Sequence, residues 1–183
     1  MISPFTSNSK RSAFGTNVGG VINLVEAMIE WLAQYDFDPA LAEIGFGLET
    51  EGLPAWRLVL PEGRALCLRG RIDRVDLHRT DDDTALCVVM DYKSSARKLN
   101  PTKLHHGLEL QLLSYLGVLT HLTNPEPYFG VGKLSAVGAF YVPLNGGAVK
   151  PGGTRSAAME RNATSRRASY QHSGRFSAEA LEH

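Results

Sequence analysis

Two aspartates and a lysine in the middle of the chain are the residues whose spacing points to chemistry. Segment 68–95 (LRGRIDRVDLHRTDDDTALCVVMDYKSS) has two strand-like runs on either side of an acidic turn at 81–83, a pattern that predicts a β-hairpin. If the turn is centred on its middle residue, Asp73 lies across from Asp91. Opposed residues of antiparallel strands point to the same face, and alternation adds Lys93 to that face.

Two opposed carboxylates repel each other, and burying them costs on the order of several kcal/mol unless a partner compensates. A divalent cation compensates directly, because Mg²⁺ is commonly held by one or two carboxylates together with a substrate phosphate. A lysine beside the cation can hold a phosphate oxygen or position an attacking water. The set therefore predicts hydrolysis of a phosphodiester. The alternative is a solvated Asp-x-Lys, which is common on strands, and the acidic run at 81–83 is interpreted as a solvated turn.

The elements that must position these residues follow from periodicity and turn signals. We predict one domain of the α/β (α+β) class, with a central mixed β-sheet flanked by helices. The predicted helices and strands are, in turn, helices at 21–35 and 103–122 and strands at 41–48, 56–60, 64–77, 84–93 and 136–144.

The second predicted helix carries an amide where a structural helix would have leucine. Gln111 and Tyr115 are spaced as i, i+4 neighbours, and Gln111 falls on the apolar stripe after Leu108. A buried amide needs hydrogen-bond partners. An acidic metal site or a DNA strand would supply them, and a glutamine satisfied within the core is the alternative.

Composition limits how the chain could reach nucleic acid. The 183 residues include 19 acidic and 19 basic side chains, so a chain-wide polycation is excluded. Local cations must then contact flanking phosphates, although strand arginines also pair with nearby acids. The candidates are Arg69, Arg71, Arg74 and Lys98.

The two cysteines, Cys67 and Cys87, have no metal-ligand spacing, which argues against zinc and disulfide frameworks and favours a reducing cytoplasm. No apolar run reaches the roughly 20 residues of a membrane span, so we expect no membrane partner.

The ends differ in character from the middle of the chain. We interpret 1–15 as a flexible segment and 16–145 as the core. Residues 146–180 form a basic Gly/Ser/Arg-rich tail, either disordered or lying on DNA or a parent protein. Residues 181–183 resemble the start of a polyhistidine tag, so we expect a piece of a larger protein.

Three short motifs, in this order and spacing, resemble those of AddB/RecB-type nucleases in the PD-(D/E)XK superfamily. They are GRIDRVD at 70–76, DYKSS at 91–95 and QLLSY at 111–115, preceded by EIGFG at 43–47. The resemblance runs from about residue 16 to 145, and weakly to Phe176. It implies an αβββαβ restriction-endonuclease-like core.

The resemblance also implies roles for individual residues. Asp73 and Asp91 would be metal ligands, completed by a backbone carbonyl near Tyr92, and Lys93 would be the catalytic lysine. Glu43 would be an accessory acid, and Gln111 and Tyr115 would pack against the site.

The sequence departs from this family at two points. The family often has a metal-binding histidine on the first helix, and residues 16–35 contain none. Nothing matches the four cysteines that hold an iron–sulfur cluster in many AddB proteins, so we expect no cluster in this fragment. His105 and His106 are interpreted as solvated or as DNA-backbone contacts.

We therefore predict a Mg²⁺-dependent deoxyribonuclease domain, with Mn²⁺ as a substitute. The resemblance implies DNA as substrate and a helicase motor or partner subunit, in double-strand-break repair and recombination in the bacterial cytoplasm, at the nucleoid. One alternative is an inactive nuclease-like module for DNA binding or assembly. Another is a hydrolase of a different phosphate ester.

Overall fold

The computed structural model describes residues 9–48, 52–144 and 170–178, with side chains from residue 21 onward. Residues 1–8 of the segment 1–15 predicted to be flexible, most of the basic tail and the tag remnant lie outside the described residues. Residues 9–15, predicted to belong to that flexible segment, are part of a helix instead. The elements are α1 Ser9–Leu32, β1 Asp38–Phe46, β2 Trp56–Val59, a 3₁₀ turn Pro61–Gly63, β3 Ala65–Leu68, β4 Gly70–Arg79, β5 Thr84–Lys93, α2 Pro101–His105, α3 Gln111–Thr120, α4 Glu126–Phe129, β6 Lys133–Pro143 and β7 Ser173–Phe176.

The main sheet is mixed, which confirms the predicted fold class. Its strand order is β1-β4-β5-β6-β7, with β5 and β6 parallel and the other neighbours antiparallel. Strands β2 and β3 form a separate hairpin. Strand β5 has the bounds that its sequence predicted, and its centre is buried, as its apolar residues on both faces require.

Helices cover both faces of the main sheet. On one face, Val75 and Val89 of the sheet share a core cluster with Leu112 and Leu119 of α3. On the other face, Val88 and Met90 form a smaller cluster against which Trp31 of α1 packs. Among the described residues, no helix is long and apolar enough to cross a membrane.

The predicted helix 103–122 is wrong as a single element, because α2 and α3 are separate. Gly107 (φ 73°) and Glu109 (φ 58°) between them have left-handed backbone, which a continuous right-handed helix does not allow. Leu108 is consequently exposed, and Gln111 begins α3 as an exposed residue instead of lying on a buried stripe. The predicted strand 64–77 is likewise divided at Arg69, where β3 ends and β4 follows.

Strand β7 lies in the segment predicted to be a disordered or surface tail, and for these residues that prediction is wrong. Its register pairs Phe176 with Gly138 and Ser173 with Tyr141 of β6. Gly174 permits the close approach, because a Cβ there would lie 2.0 Å from the carbonyl oxygen of Ala139. The strand therefore extends the main sheet by one position beyond β6.

Candidate metal centre

The site lies where β4 and β5 stop pairing with each other. Their ladder ends at Arg74 and Met90, in the register that a turn centred on Asp82 predicts. Beyond that pair, β4 continues against β1 and β5 continues against β6. Asp73 and Asp91 are the next residues beyond this end of the ladder, so the same register continued by one pair would set them opposite each other.

The carboxylate of Asp91 is fully buried, with 0% of the residue exposed. It forms an ion pair with the Lys93 ammonium, yet neither of its oxygens has a hydrogen-bond partner of ordinary geometry among the described residues. Burial raises the pKa of Asp91, and the close contact with the Lys93 ammonium, together with its positive charge, offsets this only in part. Such a carboxylate is poorly stabilised as an anion and would gain from a further positive charge.

Asp73 reaches the same place from β4. Its Oδ2 accepts a hydrogen bond of 2.8 Å from the backbone N–H of Tyr92, the residue that follows Asp91. Its negative charge contributes to the raised pKa of Asp91. The structure thus brings together Asp73, Asp91 and Lys93, which the sequence predicted to share one face.

The start of α3 supports the lysine through a short chain of hydrogen bonds. Lys93 Nζ donates to Gln111 Oε1 at 2.8 Å, and Gln111 Nε2 donates to the Tyr115 hydroxyl at 2.7 Å. Burial raises the pKa of Tyr115, and the negative charges of Asp73 and Asp91 add to the effect. Gln111 and Tyr115 therefore lie beside the acids, as predicted, although Gln111 is exposed and not buried.

The remaining predicted residues lie at the rim of the site or outside it. Glu43 is exposed, has a φ of 54° and pairs with Arg71 across 3.6 Å, and its charge contributes to the raised pKa of Tyr115. Arg69, Arg71 and Lys98 are exposed.

Arg74 is not placed to contact DNA, contrary to our prediction. Only 8% of the residue is exposed, and its guanidinium donates two hydrogen bonds to Asp76. Strand alternation explains the difference, because Arg74 follows Asp73 directly and its side chain points to the face covered by α1.

One exposed cation near the site was missed from the sequence. Burial raises the pKa of both Asp91 and Tyr141, and the positive charge of Arg97 acts weakly against this rise in each, which places Arg97 within electrostatic range of the buried carboxylate. Its position four residues after Lys93 was the available signal.

The predicted solvated groups agree with the structure. His105 and His106 are exposed and contact each other, with ring centroids 5.3 Å apart. In the acidic turn, Asp81 accepts a hydrogen bond from the N–H of Asp83, and Asp83 accepts one from that of Gly132. These contacts give the turn a structural role.

The donor set fits a hard divalent cation with few protein ligands. Among the described residues, no group of three or more His, Cys, Asp or Glu side chains is placed to hold a metal. Asp73 and Asp91 would therefore be the side-chain ligands. Mg²⁺ is often bound by only one or two carboxylates, with water and substrate phosphate completing its octahedron. The buried oxygens of Asp91 have no partner of ordinary hydrogen-bond geometry among the described residues besides their ion pair with Lys93, and this leaves them able to contact a cation.

Comparison with known proteins places the chain in a family. Residues 13–182 match the PD-(D/E)XK nuclease superfamily, and the chain belongs to it. Its relatives include proteins that are named as one subunit of an ATP-dependent helicase/deoxyribonuclease. The relative from Symbiobacterium thermophilum is 37% identical over 124 residues, which are 66% of this chain and 10% of the relative.

Two further proteins of that name show a similar match. The one from Lysinibacillus sphaericus is 36% identical over 130 residues, or 68% of this chain and 11% of the relative. The one from Lactobacillus helveticus is 40% identical over 113 residues, which are 60% of this chain and 10% of the relative. The resemblance to AddB/RecB-type nucleases is thereby confirmed. The chain spans about a tenth of the length of the curated relatives it matches.

Proposed function

We propose that this chain is a nuclease domain that cleaves DNA with Mg²⁺, for which Mn²⁺ can substitute. The observation that carries the proposal is the carboxylate of Asp91. It is fully buried, it lies beside a second acid, and apart from its ion pair with Lys93 its oxygens have no hydrogen-bond partner of ordinary geometry among the described residues. A purely structural acid at this position would need hydrogen-bond donors, whereas a metal ligand needs its oxygens free.

Each residue of the site has a distinct task in this proposal. Asp73 and Asp91 would hold the cation, together with the backbone carbonyl of Tyr92. A bound divalent cation polarises the phosphoryl oxygen and lowers the pKa of bound water. Lys93 holds a phosphate oxygen or the attacking water, and Gln111 fixes the direction of its ammonium through the 2.8 Å hydrogen bond.

The Lys93 ammonium also balances the charge of Asp91 before the cation binds. The two groups form an ion pair in this structure, and the flexible lysine stem lets the ammonium move away when the cation arrives. Tyr115 holds the amide of Gln111 in place. Glu43, at the rim with Arg71, is retained as an accessory acid.

DNA would be bound through its phosphates. The exposed cations Arg69, Arg71, Arg97 and Lys98 would contact them. The relatives' names combine helicase and deoxyribonuclease, and this supports a parent enzyme in which a motor feeds DNA to this domain. We place that enzyme in the bacterial cytoplasm, acting at the nucleoid in repair and recombination.

The test is cleavage of linear duplex and single-stranded DNA by the wild-type chain with Mg²⁺, with Mn²⁺ and with chelator. Asp91→Asn removes the ligand, and Asp82→Asn is the matched control, because Asp82 is an exposed acid of the turn. We expect metal-dependent cleavage that falls by about 10³-fold in Asp91→Asn, since a metal contributes several kcal/mol of transition-state stabilisation. The Asp82→Asn variant should cleave like the wild type. Cleavage unaffected by chelator would contradict the proposal.

A non-catalytic nuclease-like module is the second candidate. The small set of side-chain ligands among the described residues favours it, as does a first predicted helix without histidine. This candidate predicts DNA binding without cleavage in any of the three conditions. The same assay, combined with a gel-shift measurement, distinguishes the two candidates.

A further inference from the structure

A second buried charge pair lies on the reverse face of the sheet, behind the candidate metal centre. Arg74 Nε donates to Asp76 Oδ1 at 2.6 Å, and Arg74 Nη2 donates to Asp76 Oδ2 at 2.5 Å. Both residues are buried, with 8% and 1% exposed. Trp31 of α1 and His172 line the same small cavity as Arg74, so the pair is largely enclosed.

The pair is also connected to strand β5. Arg74 Nη1 donates a third hydrogen bond, of 3.3 Å, to the hydroxyl of Tyr92. On the opposite face, the backbone N–H of Tyr92 holds Asp73 Oδ2 at 2.8 Å. Arg74 directly follows Asp73, and Tyr92 directly follows Asp91. Arg74 and Tyr92, the residues next to the two proposed ligands in the sequence, are therefore hydrogen-bonded to each other on the reverse face of the sheet.

The hydrogen bond between Arg74 and Tyr92 lies at the end of the β4–β5 ladder. Arg74 belongs to the last pair of the β4–β5 ladder, and beyond it the two strands pair with different neighbours. Where the backbone ladder ends, the Arg74–Tyr92 contact continues the connection between the strands. A guanidinium that bonds three acceptors in fixed directions is a rigid connector, and its enclosure strengthens those bonds.

Stability alone is a weak reason for such a pair. A buried ion pair can often be replaced by apolar residues of similar volume without loss of stability. A connector that sets the separation of two metal ligands, by contrast, needs directional bonds. The requirement is strict, since Mg²⁺ demands near-ideal octahedral geometry.

We propose that Asp76, Arg74 and the Tyr92 hydroxyl form a strut that fixes the spacing of Asp73 and Asp91. Arg74 and the Tyr92 side chain are then positioning residues for the metal site, and neither side chain touches metal or DNA. The inference rests on the proposed function, since it assumes that the two acids bind a cation.

The first test is Tyr92→Phe, which removes the hydroxyl and leaves the ring and the backbone. Tyr128→Phe is the matched control, because Tyr128 is a half-buried core tyrosine outside the site. Calorimetric titration of Mn²⁺ should give a Kd at least about fivefold weaker in Tyr92→Phe, as expected for one lost hydrogen bond to a charged group. The kcat for DNA cleavage should fall at low Mg²⁺ and recover at high Mg²⁺, with KM for DNA unchanged. The Tyr128→Phe variant should match the wild type in all three.

The second test separates positioning from stability. The double variant Arg74→Met/Asp76→Leu replaces the pair by apolar side chains. With chelator present, its melting temperature should equal or exceed that of the wild type, while its Mn²⁺ Kd weakens by about tenfold or more. If this variant does not fold, Tyr92→Phe decides the question.

Wild-type Mn²⁺ affinity in Tyr92→Phe, or in a folded double variant, would overturn the strut. A wild-type chain that binds no Mn²⁺ and cleaves no DNA would instead overturn the proposed function, and the strut with it.

Discussion

Asp76 and Asp91 are two equally buried carboxylates on neighbouring strands, and they differ in their hydrogen-bond partners. Asp76, 1% exposed, receives a hydrogen bond from Arg74 on each of its oxygens. Asp91, 0% exposed, has an ion pair with Lys93 and no hydrogen bond of ordinary geometry among the described residues. Burial raises the pKa of both acids, so the difference lies in their partners.

The comparison distinguishes a structural acid from one available for binding. Buried polar groups are nearly always hydrogen-bonded, and an exception needs an explanation. The partner of Asp76 is a rigid, permanently charged guanidinium, whereas the partner of Asp91 is a flexible lysine that can move away. The Arg74–Asp76 pair, on the face towards α1, is therefore a fixed structural contact. The Lys93–Asp91 pair, on the face towards α3, can open to accept a cation.

The largest expected effect is on the structural acid. Asp76→Ala leaves Arg74 buried without its partner, so the free energy of unfolding should fall by about 3–5 kcal/mol. Urea denaturation at pH 7 with chelator measures it. The matched substitution Asp82→Ala, in the exposed turn, should change the value by less than about 0.5 kcal/mol. A loss below about 1 kcal/mol in Asp76→Ala would remove the contrast between the two acids.

The next effect concerns the partner of Asp91. Lys93→Met should lower the rate of DNA cleavage by about 10²-fold or more, the usual contribution of a positioned proton-transfer or charge-stabilising group. Its Mn²⁺ affinity should not weaken, because the ammonium competes with the cation for Asp91. Single-turnover cleavage and calorimetry measure the two quantities. A tenfold loss of Mn²⁺ affinity would show that the role assigned to Lys93 is wrong.

A smaller effect is expected from His172, on the structural face. Burial lowers its pKa to about 4, with a contribution from the positive charge of Arg74. The unfolded chain binds this proton near pH 6.5, so the stability due to neutral His172 is complete above that pH and is lost as pH falls towards 4.

Allowing for partial solvent screening, about 1–2 kcal/mol should be lost in this window. Tyr35 also faces the ring, but burial raises its pKa above its usual value, so it stays neutral there. Urea denaturation of His172→Gln and the wild type from pH 7 to 4.5 should show a shallower pH dependence in the variant. The exposed His106→Gln is the control. Parallel curves for His172→Gln and the wild type would contradict the assignment.

The smallest effect belongs to the exposed cations of the site face. Arg97→Gln should weaken DNA binding for all sequences alike and reduce the salt slope of log K by about 1, as expected for one lost phosphate contact. Fluorescence anisotropy with Ca²⁺ in place of Mg²⁺ measures it across a salt series. An unchanged slope would remove Arg97 from the DNA-binding surface.

The β4–β5 hairpin at the centre of the fold could be predicted from the sequence because its two strands are close together along the chain. The hairpin β4–β5 joins neighbouring segments through a short acidic turn, so the register that opposes Asp73 and Asp91 could be worked out from the turn alone. The strict alternation of side chains along β4 also contained the signal that Arg74 faces away from the site, although our prediction did not apply it.

Other features depend on conditions that residue types do not reveal. The break between α2 and α3 depends on Glu109 with a φ of 58°, a conformation that glutamate rarely adopts. Strand β7 pairs with β6 across a long stretch of sequence, and such non-local pairing has no local pattern. The missing hydrogen bonds of Asp91 could be found only from coordinates, since they depend on every neighbour of its carboxylate.

The central claim is that Asp91, whose described partner is the movable ammonium of Lys93, is a ligand for a divalent cation. Calorimetric titration of Mn²⁺ into the wild type, Asp91→Asn and Asp82→Asn tests it most directly, alongside thermal melts of the same proteins in chelator. We predict one-site binding in the wild type and Asp82→Asn and a loss of at least about tenfold, or about 1.4 kcal/mol, in Asp91→Asn. The metal-free melting temperature of Asp91→Asn should not fall below that of the wild type. Undiminished Mn²⁺ binding by Asp91→Asn would contradict the claim.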